Sequence, residues 1–379
     1  MKNKNLTWIE VDLRRAAENY DCIRKYVDEE CKLCIVVKND AYGLGIETAC
    51  LYDRLGADQF ATVDSREALA LRRRISEKDI LVLGFVFPED VEELIRQRIT
   101  LTIYDLAQAR SIHDQAQALG IPAKVHIKID TGLHRLGFLP DEAGNCAIRE
   151  VLAMAMLEVD GIYTHFAKAE DPNPIYTHKQ IEVFRSVLDP LKAEGYTFRL
   201  VHASSTRAMV DFPEYNFDMV RPGLIMSGFH YFGDGRKDCP QVKPSVGIKS
   251  TLVQIKEIPE GAGVGYGYSF IAQRPTIIGV LPLGYAQGYA KAYANKAYVL
   301  CNGHRCPIVG NIAMNHCMVD LTEAGKVAAG MTVTVFGSEG ALTIADGAAL
   351  RGTNIEEVLV GFAGKLPVQY VGGKEANED

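Results

Sequence analysis

Up to about residue 240, short apolar runs alternate with stretches of helical spacing. Eight runs stand out, at 33–37, 59–63, 80–84, 99–103, 124–129, 159–164, 198–202 and 217–220. Most are apolar throughout and rich in Val and Ile, which predicts parallel strands covered on both faces. Between them, 65–74, 89–96 and 108–119 have the spacing of helices with one apolar face. A further helix is predicted before the first run, where Leu13, Ala16, Tyr20, Ile23 and Val27 share a face and Asp12 is placed to cap it. Eight such units predict an α/β fold, a (β/α)8 TIM barrel. The runner-up is an open doubly wound sheet. That fold usually carries a Gly-rich phosphate loop after its first strand, and Lys38-Asn39-Asp40-Ala41-Tyr42-Gly43 is not such a loop.

Beyond residue 240 the pattern changes. Segments 276–281, 297–301, 306–309 and 332–336 look like strands without crossover helices. Asn302-Gly303 between two of them is a type I′ hairpin signal. Residues 1–240 are therefore expected to form the barrel and 241–379 a mainly β domain. The strand-like stretch 6–11 is expected to join the β domain.

Composition narrows the partners. A length of 379 residues suits two domains, and 47% hydrophobic with 23% charged residues is ordinary for a globular chain. The net charge is −7 and no Lys/Arg run occurs, which argues against nucleic acid and anionic membranes as partners. The N-terminus lacks the apolar region of a signal peptide, and no stretch reaches the roughly 20 apolar residues that span a bilayer. Nine scattered cysteines suit a reducing cytoplasm better than a disulfide framework. The Cys31–Cys34 pair and the Cys301, His304, Cys306 group lack the four-ligand set of a zinc site, so no metal is expected.

The ends of the barrel runs carry unusual chemistry. Lys38 ends the first, in IVVKNDAYG. Arg135 follows the fifth, in KIDTGLHRLGF. His165 ends the sixth, in IYTHF. Ser205 and Thr206 follow the seventh, and Arg221 and Gly223 end the eighth, in FDMVRPG. Each alone has an ordinary reading: a solvated Lys, a hydrogen-bonded His, a paired Arg, a helix cap. A barrel enzyme builds its site at these ends, and together they describe a pocket for an anionic ligand.

IVVKNDAYGLG is similar to the cofactor-lysine motif of the alanine racemase family. KIDTGLHRLGF, IYTHF, FDMVRPG, VGYGYS, LPLGYAQG and IVGNIAMNHCM match further motifs of that family, in its order, from Trp8 to Pro367. The resemblance implies a pyridoxal-phosphate (PLP) amino-acid racemase. Lys38 would hold the cofactor through a Schiff base and serve as one catalytic base. Tyr266 would be the other, and since a free tyrosine titrates near pH 10, its surroundings must make it a better one. Tyr42, Ser205, Thr206, Gly223 and Leu224 would bind the phosphate. His165 would lie against the ring, and Arg221 would face the ring nitrogen and keep it unprotonated. Arg135 and the Met314 backbone N–H would bind the substrate carboxylate. Lys128 matches a position that can be carbamylated to brace Arg135. Because the family's site forms between subunits, a head-to-tail homodimer is implied, each Tyr266 serving the partner's barrel.

The chain also departs from the family. Ser205 and Thr206 replace an Asn-Ser pair, Asn311 an Arg, Asn315 an Asp, and Gln287 the Asp of GYADG. Gly364 falls where a Tyr usually narrows the pocket, which points to a substrate larger or more polar than alanine, such as serine. The competing functions are a PLP barrel decarboxylase, a non-catalytic PLP protein, and a PLP-free barrel that binds a phosphorylated metabolite. The decarboxylase needs no second base and usually has a Gly-rich loop, which is absent here. Single-domain PLP carriers lack the β domain.

Overall fold

A computed structural model describes residues 5–232, 236–338 and 340–373. The chain opens with strand β1 (Thr7–Asp12) and the helix Leu13–Tyr26. Asp12 caps that helix as its sequence suggests, with Oδ1 accepting from the backbone N–H groups of Arg14 and Arg15 at 3.0 and 3.1 Å.

Eight parallel strands follow: β2 (Lys32–Val36), β3 (Gln59–Thr62), β4 (Asp79–Val82), β5 (Thr100–Ile103), β6 (Ala123–Lys128), β7 (Leu157–Tyr163), β8 (Leu200–His202) and β9 (Met219–Val220). Each pairs with the next up to β8, and β9 returns to pair with β2. The ring closes through irregular backbone. Asp218 donates its N–H to the Val201 carbonyl at 3.0 Å, and Arg221 donates to that of Ser204 at 2.9 Å. The last two strands are shorter than their apolar runs. Phe217 adopts a left-handed φ of 49°, which a strand cannot include. Arg199 is drawn into an ion pair instead of the ladder.

The helices Ile46–Arg54, Ser65–Arg72, Pro88–Arg96, Leu106–Leu119, Glu142–Leu152, Ile175–Ala193 and Thr206–Asp211 surround the barrel. Strand residues such as Leu33 and Ile35 join the large core between sheet and helices. Cys34, Val36, Ala61, Leu81, Leu200 and Met219 form a separate apolar cluster inside the ring. Both faces are thus covered, which is why the runs read as continuous hydrophobic stretches.

The remaining strands are β10 (Val246–Thr251), β11 (Gln254–Ile258), β12 (Gly263–Val264), β13 (Phe270–Ile271), β14 (Thr276–Leu281), β15 (Tyr298–Cys301), β16 (His304–Val309), β17 (Cys317–Asp320), β18 (Thr332–Phe336) and β19 (Val368–Val371). Nine strands form one sheet in the order β11-β14-β17-β16-β15-β18-β10-β1-β19. The first strand lies inside this sheet: β1 runs antiparallel to β10 and parallel to β19. The β15–β16 hairpin turns at Asn302 and Gly303 with φ of 51° and 79°, both positive as a type I′ turn demands. Cys301 and Cys306 are buried in the core. Helices Ile344–Arg351 and Ile355–Val360 carry the chain back across the mouth of the barrel.

Candidate active site

Lys38 follows β2 and opens an uncommon piece of backbone. Asn39, Asp40, Ala41 and Tyr42 have φ of 53°, 54°, 53° and 58°, a left-handed turn built without glycine. Such residues cost about 1–2 kcal/mol each. Internal bonds offset part of the strain: Ala41 N–H to the Val37 carbonyl at 2.9 Å and Gly43 N–H to that of Asn39 at 3.0 Å. Glu67, on the helix Ser65–Arg72, accepts the exposed N–H of Asp40 at 3.1 Å. The turn folds Tyr42 back beside Lys38, whose Nζ lies 5.7 Å from the ring centroid. Strain of this kind persists only where its surroundings over-determine it.

Lys38 and Tyr42 line a cavity of about 590 Å³ at the C-terminal mouth of the barrel. Lys128, Arg135, His165, Ser205, Thr206, Arg221, Gly223 and Leu224 line it too, with Tyr163 as part of its floor. Arg135 stands on a loop organised by Asp130, whose Oδ1 accepts from Gly132 N–H and His134 N–H, both at 3.0 Å. Lys128 and Arg221 each sit 5.2 Å from the Tyr163 ring centroid. Arg221 is buried, and its guanidinium donates to the Thr164 and Ala203 carbonyls at 2.8 Å and to His165 Nδ1 at 3.1 Å. Helix Ile355–Val360 contributes Glu356, which accepts from the Tyr231 hydroxyl at 2.6 Å.

The electrostatics favour an anion. Among the described residues, Lys38, Lys128, Arg135, Arg207 and Arg221 line the cavity against two carboxylates, Glu170 and Glu356. Burial, then Arg135, lowers the Lys38 pKa and so favours its neutral amine. The same two causes, with Arg221, bring Lys128 down to about 7. Burial, and then Arg221, hold His165 well below its ordinary value, so its ring is neutral.

These residues suit pyridoxal phosphate. Hydroxyls of Tyr42, Ser205 and Thr206 and the N–H groups of Gly223 and Leu224 are the donor set a phosphate needs. The fit is close at Gly223, where a Cβ would stand 2.5 Å from the Tyr42 hydroxyl. Arg221 contacts no carboxylate among the described residues, which leaves it able to face a neutral ring nitrogen.

Tyr266 and Met314 are not in this cavity. Tyr266 lies in a short turn between β12 and β13 and is 78% exposed; Met314 is 55% exposed. Together with Tyr285, Lys291, Asn311 and Asn315 they line a second cavity of about 570 Å³ on the β domain. Asn311 Nδ2 donates to the Tyr266 carbonyl at 2.7 Å and holds that turn. Gly364 has φ 69° and open space where a Cβ would stand. Sequence reasoning missed Tyr163, Glu170, Tyr231 and Glu356. Tyr163 could have been found by parity, since it lies two residues before His165 in IYTHF; Glu170 and Tyr231 come from loops, and Glu356 from a short helix far along the chain, where spacing carries no signal.

Among the described residues, no helix is long and apolar enough to cross a membrane. Models of the alanine racemase N-terminal and C-terminal domains match residues 11–230 and 245–370. An alanine racemase of Methanococcus maripaludis is 36% identical over 96% of this chain and 98% of its own length. The solved alanine racemase of Clostridium difficile 630 superposes with a TM-score of 0.92 at 33% identity, covering 98% of this chain and 97% of its own. That of Bartonella henselae, with covalently bound pyridoxal phosphate, gives 0.84 at 26% identity, covering 97% and 99%. With a barrel whose mouth gathers a half-buried amine and an anion-binding donor set, and with matches over both domains, this chain belongs to the alanine racemase family of PLP-dependent isomerases.

Proposed function

We propose that this protein interconverts L- and D-amino acids by a two-base reaction in which Lys38 serves one face of the substrate's Cα and the partner subunit's Tyr266 the other. The observation that carries this reading is the separation of the two groups. Lys38 lies in the barrel cavity, while Tyr266 and Met314 stand exposed together on the β domain of the same chain. A second copy, related head to tail, would bring that face over a barrel mouth and complete two equal sites.

When bound, PLP withdraws electrons from the substrate Cα and so acidifies its C–H bond. The protein does the rest. Arg135 and the Met314 N–H hold the substrate carboxylate and so present Cα–H to one base at a time. Lys38, its pKa lowered by burial and Arg135, takes or returns a proton at Nζ. Tyr266 does the same at its hydroxyl on the other face. Arg221, a permanent donor, keeps the ring nitrogen unprotonated and restrains side reactions that need a stronger electron sink. Lys128, brought to about 7, has enough neutral amine to take up CO2, and the resulting carbamate would brace Arg135.

Subunit mixing tests the shared site. Lys38→Ala and Tyr266→Phe should each be inactive as homodimers. Co-refolded in equal amounts, they should regain about a quarter of native activity, because half the dimers then hold one intact site. Dimers that form and regain nothing would sink the arrangement. Substrate breadth is the finer part of the reading. Gly364 is exposed and lines neither cavity of one chain, so the support here is the resemblance, which puts a pocket-narrowing Tyr at this position; without it a side chain larger or more polar than a methyl group is favoured. Relative kcat/KM over a panel of L-amino acids checks it. Serine within about tenfold of alanine is expected; a preference for alanine of about a hundredfold or more defeats it.

A further inference from the structure

Behind the floor of the cavity lies a chain of buried polar groups that the reaction outlined above does not use. Arg221 Nη1 is 2.5 Å from Nδ1 of His202. Nε2 of His202 is 2.9 Å from Nδ1 of His126. Nε2 of His126 faces Oδ2 of Asp160 at 3.4 Å. Both histidines are fully buried at 0% exposure. Asp160 is gripped by Arg199, with Nε to Oδ1 at 2.6 Å and Nη2 to Oδ2 at 2.5 Å. Arg199 and Lys124 tie it to Asp79, the first residue of β4, at the opposite end of the barrel.

The direction of every hydrogen bond in this chain follows from one fact: a guanidinium has donors and no acceptor. His202 Nδ1 must therefore offer its lone pair, so the His202 proton sits on Nε2. That proton is donated to His126 Nδ1, which leaves the His126 proton on Nε2, facing Asp160. One tautomer of each ring satisfies the set, with a cation at one end and a carboxylate at the other, and each link polarises the next. Burial lowers the pKa of both rings, which keeps them neutral between the charged ends. The fold makes room for the arrangement. A Cβ on Gly161 would stand 2.9 Å from His126 Nδ1 and Cε1, so only glycine fits beside that ring. The β6–β7 register also shifts at Val125/His126. His202 stacks on Tyr163 with centroids 4.6 Å apart and planes 7° from parallel.

We propose that His202, His126 and Asp160 form a one-way hydrogen-bonded relay that sets the orientation of Arg221 and supplies its negative counterpart from the far end of the barrel. All three are positioning residues, acting through Arg221. The proposal rests on the reading above only for what Arg221 faces; the relay itself is measured without turnover.

The test uses the PLP-loaded protein labelled with 15N at histidine and arginine. At pH 7, NMR should report His202 and His126 as neutral rings protonated at Nε2. An imidazolium or an Nδ1–H tautomer at either residue overturns the relay, and this reading needs no variant. His126→Leu should shift the Arg221 Nη resonances and speed cofactor loss, followed by its visible absorbance, about tenfold. His126→Gln, which keeps a donor and an acceptor, should restore both. Unmoved Arg221 signals in His126→Leu, with only a lower Tm, would show His126 to be packing and nothing more. A protein that fails to racemise but has these tautomers keeps the relay and loses the racemase reading, so the two failures are distinct.

Discussion

The two halves of the barrel interior differ sharply. On the β2–β4 side the ring is filled by Cys34, Val36, Ala61 and Leu81. On the β5–β9 side, beside Leu200 and Met219, it holds Thr102, His126, Lys128, Tyr163, His202 and Arg221, all buried. The apolar half does what a barrel core ordinarily does, removing hydrocarbon from water at about 25 cal/mol per Å². The polar half forgoes much of that gain, and each of its groups must find a partner or bear an unmet desolvation cost. Most find them: Thr102 Oγ1 bonds the Val82 carbonyl at 2.7 Å and the Tyr163 hydroxyl at 2.9 Å, and the histidines bond each other, whereas the buried Thr100 Oγ1 on the same strand has none. The lesson is that one half of this core is organised for stability and the other to place a charge beneath the site.

The sharpest way to separate the halves is pH. His126, His165 and His202 are held neutral by burial, so the unfolded chain binds protons that the native chain does not. Their folded pKa values are depressed, so stability is complete above the unfolded value near 6.5 and is lost as pH falls below it. Each should cost about 1.4 kcal/mol per pH unit down to its folded pKa. Glu67, whose carboxyl burial raises, offsets part of this by taking up a proton in the native state. The apolar half is silent over the same range, since burial pushes the Cys34 thiol up to about 12. Urea unfolding at pH 7.0 and 5.5 measures the slope; a flat response would remove the distinction.

Next in size, Leu81→Ala should cost about 3 kcal/mol of stability while leaving kcat within about twofold, because Leu81 is fully buried and no charge depends on it. A large fall in kcat without loss of stability would show that the apolar half also serves the site. Thr102→Val gives the smallest effect. It removes the Tyr163 contact at nearly constant volume and should cost about 1 kcal/mol by the same unfolding measurement.

Much of this molecule could be read from its residues. The eight apolar runs give the eight barrel strands in order, because strands buried on both faces leave unbroken hydrophobic stretches. Boundaries were less legible at β8 and β9, where Phe217 and Arg199 leave the ladder for reasons that depend on distant partners. Lys38, Arg135, His165, Ser205, Thr206, Arg221 and Gly223 could be placed at one mouth because strand ends in a barrel share a face. The left-handed turn after Lys38 was not legible: Asn39, Asp40, Ala41 and Tyr42 are residues that ordinarily avoid positive φ or tolerate it singly. Glu67, which accepts a hydrogen bond from that turn, is separated from it in sequence by a strand.

By itself, the sequence determined the order of elements, the barrel and the set of side chains at its mouth, since periodicity and strand ends are local properties that survive without coordinates. The strand character of 6–11 anticipated its place in the second sheet, and the resemblance implied that Tyr266 serves a partner's barrel; only the tertiary structure decided that β1 pairs with β10 and β19 and that His202 and His126 join Arg221 to Asp160. Those relations are made by groups far apart in the chain, and their energy depends on distance, burial and hydrogen-bond direction, which no local pattern encodes.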